Sequence, residues 1–135
     1  MVTKGDKKMA DQVSKDTVAI KSMTEKLLAA FIDHDWEGFT SYFTDDAVWL
    51  PPDQPPLIGK DVWWSWIGGD WNESTIQQQS IIHKEIVIAG DWAYEWHTQT
   101  QVGKGWQANF KGIWILQRQD DESWKIARYC FNYAP

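Results

Sequence analysis

The fold is decided by residues 81–132, which read IIHKEIVIAGDWAYEWHTQTQVGKGWQANFKGIWILQRQDDESWKIARYCFN. Runs rich in β-branched and aromatic residues alternate there with short turns that contain Gly, Asp or Ser. The pattern predicts four antiparallel strands joined by turns of two, three and four residues. The predicted strands are Ile81–Ala89, Trp92–Val102, Trp106–Arg118 and Trp124–Asn132.

The turn lengths predict the register of these strands, with Ala89 opposite Trp92 and Val102 opposite Trp106. Directly opposed residues share a face of the sheet. One face then carries a mostly aromatic set: His83, Glu85, Val87, Tyr94, Trp96, Thr98, Phe110, Gly112, Trp114, Ala127, Tyr129 and Phe131. The other face carries aliphatic and polar residues: Ile82, Ile86, Ile88, Ala93, Glu95, His97, Lys111, Ile113, Ile115, Arg128, Cys130 and Asn132. We expect the first face to be covered and the second to be partly solvated, although a one-residue register error would exchange them.

Helical periodicity precedes the strands. The spacing of Ile20, Met23 and Leu27 predicts an amphipathic helix from an N-cap at Asp16 to about residue 32. The following segments are a short helix after Asp35, a strand at 47–50, a Pro-rich loop at 51–59 without strand pairing, and a third helix at 61–67. Helices grouped before strands indicate an α+β fold with the helices packed on one face of a curved sheet. Residues 1–15 are predicted to be a flexible tail and residues 16–135 a single domain.

Length and charge exclude several classes of protein. A chain of 135 residues is one domain of ordinary size, and its net charge of −6 argues against binding to nucleic acid or to an anionic membrane. No run approaches the ~20 apolar residues of a membrane span, and the first 15 residues lack the apolar core of a signal peptide. The single cysteine, Cys130, excludes an internal disulfide. These features favour a cytoplasmic protein.

The chain contains eleven tryptophans, which can fill a core or line a cavity for an apolar ligand. His83 and Glu85 stand two residues apart on one predicted strand, so their side chains point the same way, and such a pair could act as acid and base. Alternatively, His83 lies near the rim and Glu85 makes one buried polar contact. No metal site and no cofactor is expected, because the three histidines are far apart in sequence and phosphate-binding motifs are absent.

Several short motifs resemble those of one known superfamily. Segments 42–48 (YFTDDAV), 50–52 (LPP) and 56–60 (PLIGK), followed by 89–94 (AGDWAY) and 123–128 (SWKIAR), resemble the nuclear transport factor 2-like superfamily, in its SnoaL-like and ketosteroid-isomerase-like branch. The resemblance spans residues 20–132. It implies a cystatin-like α+β barrel: a cone-shaped, mainly antiparallel sheet wrapped around three N-terminal helices. It also implies a pocket at the open end of the cone and a homodimer formed through the outer sheet surface.

The resemblance does not transfer the ketosteroid isomerase mechanism. The residues of that mechanism would fall at Pro51, Leu27 and Trp114, none of which can perform its acid–base chemistry. Our first hypothesis is therefore a protein that binds a small hydrophobic or aromatic molecule. The predicted ligand-binding residues are Trp49, Trp63, Trp66, Tyr94, Trp96, Thr98, Trp114, Tyr129 and Phe131. The alternatives are an isomerase, dehydratase or cyclase that uses Glu85 and His83, and a homodimerisation module without a ligand.

Overall fold

A computed structural model describes residues 3–60, 63 and 76–135. The elements in that part of the chain are α1 (Lys4–Ile32), α2 (Trp36–Thr40), β1 (Phe43–Leu50), β2 (Leu57–Ile58), β3 (Ile76–Ala89), β4 (Trp92–Gly103), β5 (Trp106–Arg118) and β6 (Trp124–Ala134). The strands form one curved sheet in the order β2-β1-β6-β5-β4-β3. The β1–β6 pair is parallel, and every other neighbouring pair is antiparallel. The predicted α+β class is confirmed.

Helix α1 begins well before the predicted N-cap. Thr3 caps it in a reciprocal capping box, in which Thr3 Oγ1 accepts from the Asp6 amide at 3.1 Å and Asp6 Oδ2 accepts from the Thr3 amide at 3.3 Å. The predicted start at Asp16 is therefore wrong, because a stronger cap lies upstream. Asp16 is the first buried residue of α1, and the segment before it is exposed. A domain boundary at residue 16 and a flexible segment before it stay predictions.

The segment after α1 agrees with the prediction at α2 and differs from it in the strands. Asp35 caps α2 by accepting from the Gly38 amide at 2.9 Å. The following strand begins earlier than predicted, at Phe43. The Pro-rich loop was expected to lack strand pairing, but its last residues form β2, which pairs antiparallel with β1. The third helix predicted at 61–67 lies outside the described residues except for Trp63.

The β4–β5 turn is one residue shorter than predicted. Gly103 pairs with Trp106, so only Lys104 and Gly105 form the turn. The Trp106 indole lies over Gly103, where a Cβ atom would overlap the ring, and Gly105 adopts a φ of 81°. Glycine has no Cβ atom and readily adopts a positive φ, so glycines at 103 and 105 allow the two-residue turn. The predicted pairing of Val102 with Trp106 is therefore wrong.

The shorter turn exchanges the two faces of β4. Tyr94 and Trp96, predicted to face the interior, are 42% and 43% exposed on the outer face, which Thr98 shares. Glu95 and His97, predicted to be outside, are each 0% exposed. Side chains alternate strictly along a strand, so a shift of one residue moves the whole set.

A β-bulge partly restores the predicted face of β3. Glu85 pairs with Trp96 as predicted, and so both lie on the outer face, where Glu85 is exposed. A register shift between His83 and Glu85 then returns His83 to the inner face, opposite His97 and not opposite Thr98 as predicted. The expected interior His83–Glu85 pair does not form.

The inner face of β5 and β6 agrees with the prediction. Trp114 pairs with Tyr129 and Gly112 with Phe131, as predicted. The turn before β6 is one residue longer than the four predicted, because Trp124 pairs with Arg118, and a bulge next to Ile115 restores the predicted pairing. The aliphatic residues expected on the outer face fall into an exposed group and a group that packs against the core. Their exposed members are Ile82, Ile113 and Ile115, whereas Ile86 and Ile88 pack against the core.

A buried ion pair fastens α1 to the sheet. Arg118 donates to both oxygens of Asp16, at 2.7 and 2.8 Å, and the Trp124 indole N–H donates to the same carboxylate at 3.3 Å. The guanidinium of Arg118 lies 4.5 Å from the centre of the Trp124 ring. The hydrogen bonds from Arg118 lower the pKa of Asp16 below its ordinary value. This contact fixes α1 over the inner face of the sheet.

Candidate functional site

A cavity of about 450 Å³ lies between α1, β1 and the inner face of the sheet. Its volume is in the range of small-molecule sites in proteins. Most of its wall is apolar, and aromatic rings dominate it. The rings include Phe39, Phe43, Trp49, Trp114, Tyr129 and Phe131.

Trp63 supports this wall from behind. Its ring stacks on Trp49 with centroids 4.5 Å apart and planes 18° apart. Its indole N–H donates to the Leu57 carbonyl at 3.0 Å, which ties it to β2. Trp63 is fully buried and is not among the residues that line the cavity. It therefore holds Trp49 in place.

Under the wall formed by Trp114 lies a buried carboxylate held between two imidazoles. His83 Nδ1 lies 2.7 Å from Glu95 Oε2, and His97 Nδ1 lies 2.7 Å from Glu95 Oε1. The backbone N–H of Trp114 donates to Glu95 Oε1 at 3.1 Å. Three donors thus surround a carboxylate that has no contact with solvent. The His83–Glu95–His97 network joins β3, β4 and β5.

The network continues to α1 through a hydroxyl. Thr24 Oγ1 donates to the Ile20 carbonyl at 2.8 Å, so its single proton is in use. His83 Nε2, 2.9 Å from the same oxygen, is therefore the donor to Thr24. With Nε2 protonated, one proton lies between His83 Nδ1 and Glu95. Thr24 thereby fixes the orientation of the imidazole.

Tyr129 is the phenol nearest to the network. Burial, and then the negative charge of Glu95, raise the pKa of Tyr129 far above its ordinary value. The hydroxyl therefore stays protonated and donates to Gln99 Oε1 at 3.2 Å. Tyr129 is therefore not a base, and its single proton is used in the bond to Gln99.

A second concavity, of about 860 Å³, lies between α1 and β3. His83 and Thr24 line it, together with polar side chains such as Lys21, Glu25 and Ser80. The network therefore meets the polar groove through His83, while Trp114 and Tyr129 separate it from the aromatic cavity.

The structure brings together about half of the predicted ligand-binding residues. The cavity wall contains Trp49, Trp114, Tyr129 and Phe131. Trp63 lies one layer behind the wall, and Trp66 lies outside the described residues. The remaining members lie on the outer face of β4: Tyr94, Trp96 and Thr98. Of the proposed catalytic pair, His83 is interior and Glu85 is on the outer surface.

Sequence reasoning missed Glu95 and His97, and with them the glutamines that follow on the inner face of β4. The signal was present in the alternation of polar and aromatic residues along β4, which is consistent with either face being inside. The predicted three-residue turn before β5 placed the aromatic set of β4 inside. Burial of Glu95 is favourable because it bonds with His83 and His97 and with the backbone N–H of Trp114.

Among residues 3–60, 63 and 76–135, no group of three His, Cys, Asp or Glu side chains could hold a metal ion. In the same part of the chain, no helix has the length and apolar character needed to cross a membrane.

Comparison with solved structures finds the same fold in proteins of similar length. A ketosteroid isomerase-like protein from Erwinia carotovora atroseptica is 25% identical, with a TM-score of 0.72 over 87% of this chain and 96% of that chain. A conserved protein from Planctomyces limnophilus is 23% identical, with a TM-score of 0.73 over 90% of this chain and 99% of that one. A nuclear transport factor 2-like protein with a cystatin-like fold, from Novosphingobium aromaticivorans, is 12% identical, with a TM-score of 0.75 over 97% and 90% of the two chains.

Comparison with families agrees with these structures. No curated protein matches the chain. The SnoaL-like domain family matches residues 24–129, which include the His83–Glu95–His97 network and most of the wall of the aromatic cavity. This match covers most of the 135 residues, and the protein therefore belongs to the SnoaL-like domain family.

Proposed function

We propose that this SnoaL-like protein binds a compact hydrophobic or aromatic molecule in the cavity between α1 and the sheet. The observation that carries the proposal is the aromatic wall of a cavity of about 450 Å³. Aromatic rings supply a large apolar contact area and favour offset or edge-to-face contacts with a ring-shaped ligand. Burial of such a ligand is favourable by about 25 cal/mol per Å² of apolar surface.

Tryptophan fluorescence tests the proposal, because Trp49 and Trp114 are part of the wall. We expect saturable quenching or a spectral shift with at least one member of a panel of small aromatic and terpenoid compounds. The Phe131→Ala variant removes a ring from the wall and should weaken binding about tenfold, which is ~1.4 kcal/mol. Trp96→Ala removes a ring from the outer face and is the matched control, with unchanged affinity. Equal loss in both variants, or no response from any compound, would contradict the proposal.

An acid–base enzyme is the second candidate, and the pairing of His83 with the buried carboxylate of Glu95 favours it. Glu95 itself is 0% exposed and is separated from the aromatic cavity, so a substrate would meet the network only through His83, which lines the groove between α1 and β3. Neighbouring titratable groups in a buried setting are frequent in active sites. For any compound that is turned over, His83→Gln should abolish turnover, and Glu95→Gln should lower it by removing the partner of His83. Turnover that survives His83→Gln would rule out His83 as the acid–base group.

The ketosteroid isomerase mechanism is not part of the proposal. One solved relative is described as ketosteroid isomerase-like. In this chain the corresponding positions hold Pro51, Leu27 and Trp114, all of which are buried and none of which ionises in that role. The fold is shared, but the residues of that chemistry are not.

We also propose that a second copy of the chain covers the outer face of β4 and β5. Large apolar side chains are exposed together there: Trp92, Tyr94, Trp96, Ile113 and Ile115. Contiguous apolar surface of this kind often marks an interface, and a stable dimer would bury more than about 1,000 Å². Light scattering at micromolar concentration should give the mass of a dimer, and Ile113→Glu should give the monomer mass of 15.7 kDa. A monomeric wild-type protein would refute this proposal and leave the ligand proposal unaffected.

A further inference from the structure

The charge of the cavity wall limits the ligands that it can accept. Among the described residues that line the cavity there is no Lys, Arg or His. Among the described lining residues the one carboxylate is that of Asp53, which is exposed. An anionic group in this cavity would lose its hydration and meet no cation among the described residues of the wall.

The polar part of the wall is a cluster of three uncharged amides. Gln79 Oε1 accepts from Gln99 Nε2 at 3.1 Å and from Gln101 Nε2 at 3.3 Å. Gln79 Nε2 donates to the Leu28 carbonyl at 3.4 Å, and Gln99 Oε1 accepts from the Tyr129 hydroxyl. All three glutamines line the cavity on the inner face of β3 and β4. The cluster is therefore held together at Gln79 and attached to α1.

The cluster keeps unused hydrogen-bonding capacity. Each amide has two N–H donors and one carbonyl acceptor. Among the described residues, no hydrogen bond reaches Gln101 Oε1, and Gln99 and Gln101 each use one N–H within the cluster. Without any change in the cluster, Gln101 Oε1 can accept a hydrogen bond and the second N–H of Gln99 or Gln101 can donate one. The cluster can thus bind either a donor or an acceptor on an uncharged ligand.

We infer that Gln99 and Gln101 determine specificity, and that the ligand is an uncharged aromatic molecule with one hydroxyl, carbonyl or amide group bound by these glutamines. This inference rests on the proposed ligand-binding function. The ring of the ligand packs among Trp114, Tyr129 and Phe131, and its polar group meets the glutamine cluster. The amides can hydrogen-bond with a neutral polar group, but the described wall has no cation to pair with a carboxylate. The site should therefore bind the neutral ligand more tightly than a ligand of similar shape that carries a carboxylate.

Three ligands with the same ring test this inference by equilibrium dialysis against the full chain. They are 2-(2-naphthyl)ethanol, 2-ethylnaphthalene and 2-naphthylacetate. We expect the alcohol to bind about fivefold more tightly than the hydrocarbon, which corresponds to one net hydrogen bond. The carboxylate should bind at least ~10-fold more weakly than the alcohol.

The variant Gln101→Leu should reduce the ratio of alcohol to hydrocarbon affinity to about one, and leave hydrocarbon binding in place. Gln107→Leu is the matched control, since Gln107 is an exposed residue of β5 outside the cavity wall, and it should keep the wild-type ratio. A carboxylate that binds as tightly as the alcohol, or an alcohol that binds no better than the hydrocarbon, would overturn the inference and leave ligand binding itself standing. Failure of all three compounds to bind would overturn the proposed function as well.

Discussion

Replacement of Glu95 tests whether the buried His83–Glu95–His97 network stabilises the sheet. In Glu95→Leu, three buried partners lose their acceptor: His83 Nδ1, His97 Nδ1 and the backbone N–H of Trp114. Each buried polar group left without a partner costs about 1–3 kcal/mol. The sum is about 3–9 kcal/mol, against a total stability of about 5–15 kcal/mol for a domain. We expect the leucine variant to lose most of its stability.

Glu95→Gln separates the hydrogen bonds from the charge. The glutamine carbonyl can still accept from His97 and from the Trp114 amide, while its NH₂ donates to His83 Nδ1. This arrangement is available because His83 already carries a proton on Nε2, which it donates to Thr24. We expect a loss of less than about 2 kcal/mol, because each partner keeps a hydrogen bond.

Urea denaturation followed by tryptophan fluorescence and by circular dichroism measures these free energies of unfolding. Glu85→Leu is the matched control, because Glu85 is exposed on the outer face, and its effect should stay within about 0.5 kcal/mol. If Glu95→Leu unfolds within about 1 kcal/mol of the wild-type protein, the network does not hold the strands together. A glutamine variant as unstable as the leucine variant would show that the negative charge, and not the hydrogen-bond pattern, is essential.

Three further predictions concern stability. Asp16→Asn should cost about 3 kcal/mol of unfolding free energy at pH 7, because it breaks the buried pair with Arg118. The pKa of Asp16 is lowered in the folded state, so the advantage of the wild-type protein is complete above the unfolded pKa and should shrink as the pH falls below about 5. Urea denaturation at pH 7 and at pH 3 measures this advantage, and an equal difference at the two pH values would refute the prediction. Gly112→Ala places a Cβ 3.0 Å from His97 Nε2, so its thermal midpoint should fall by several degrees, and an unchanged midpoint would contradict the packing. Trp63→Phe keeps a ring beside Trp49 but loses the hydrogen bond to the Leu57 carbonyl. The unfolding free energy should therefore fall by about 1–3 kcal/mol in the same denaturation assay. An unchanged free energy would show that solvent replaces this bond.

The local signals in the sequence were reliable where a chemical preference acts within a few residues. Gly90 adopts a φ of 63° in the predicted two-residue turn, and Asp35 caps α2 as its side chain allows. The boundaries of β5 are those predicted, and those of β4 differ by one residue. The start of α1 was placed too late because exposed polar residues after Thr3 carry no apolar periodicity, although they form a well-capped helix.

The sequence by itself determined the class of fold, the family, the presence of four strands in residues 81–132, and the aromatic wall contributed by β5 and β6. Only the tertiary structure decided which face of β4 is inside. Two alternating sets, one with Trp96 and one with Glu95, fit the same strand, and the shorter Lys104–Gly105 turn selects the second. Burial of a carboxylate is unfavourable until donors surround it, and His83, His97 and the backbone N–H of Trp114 meet Glu95 only when β3, β4 and β5 are assembled in this register.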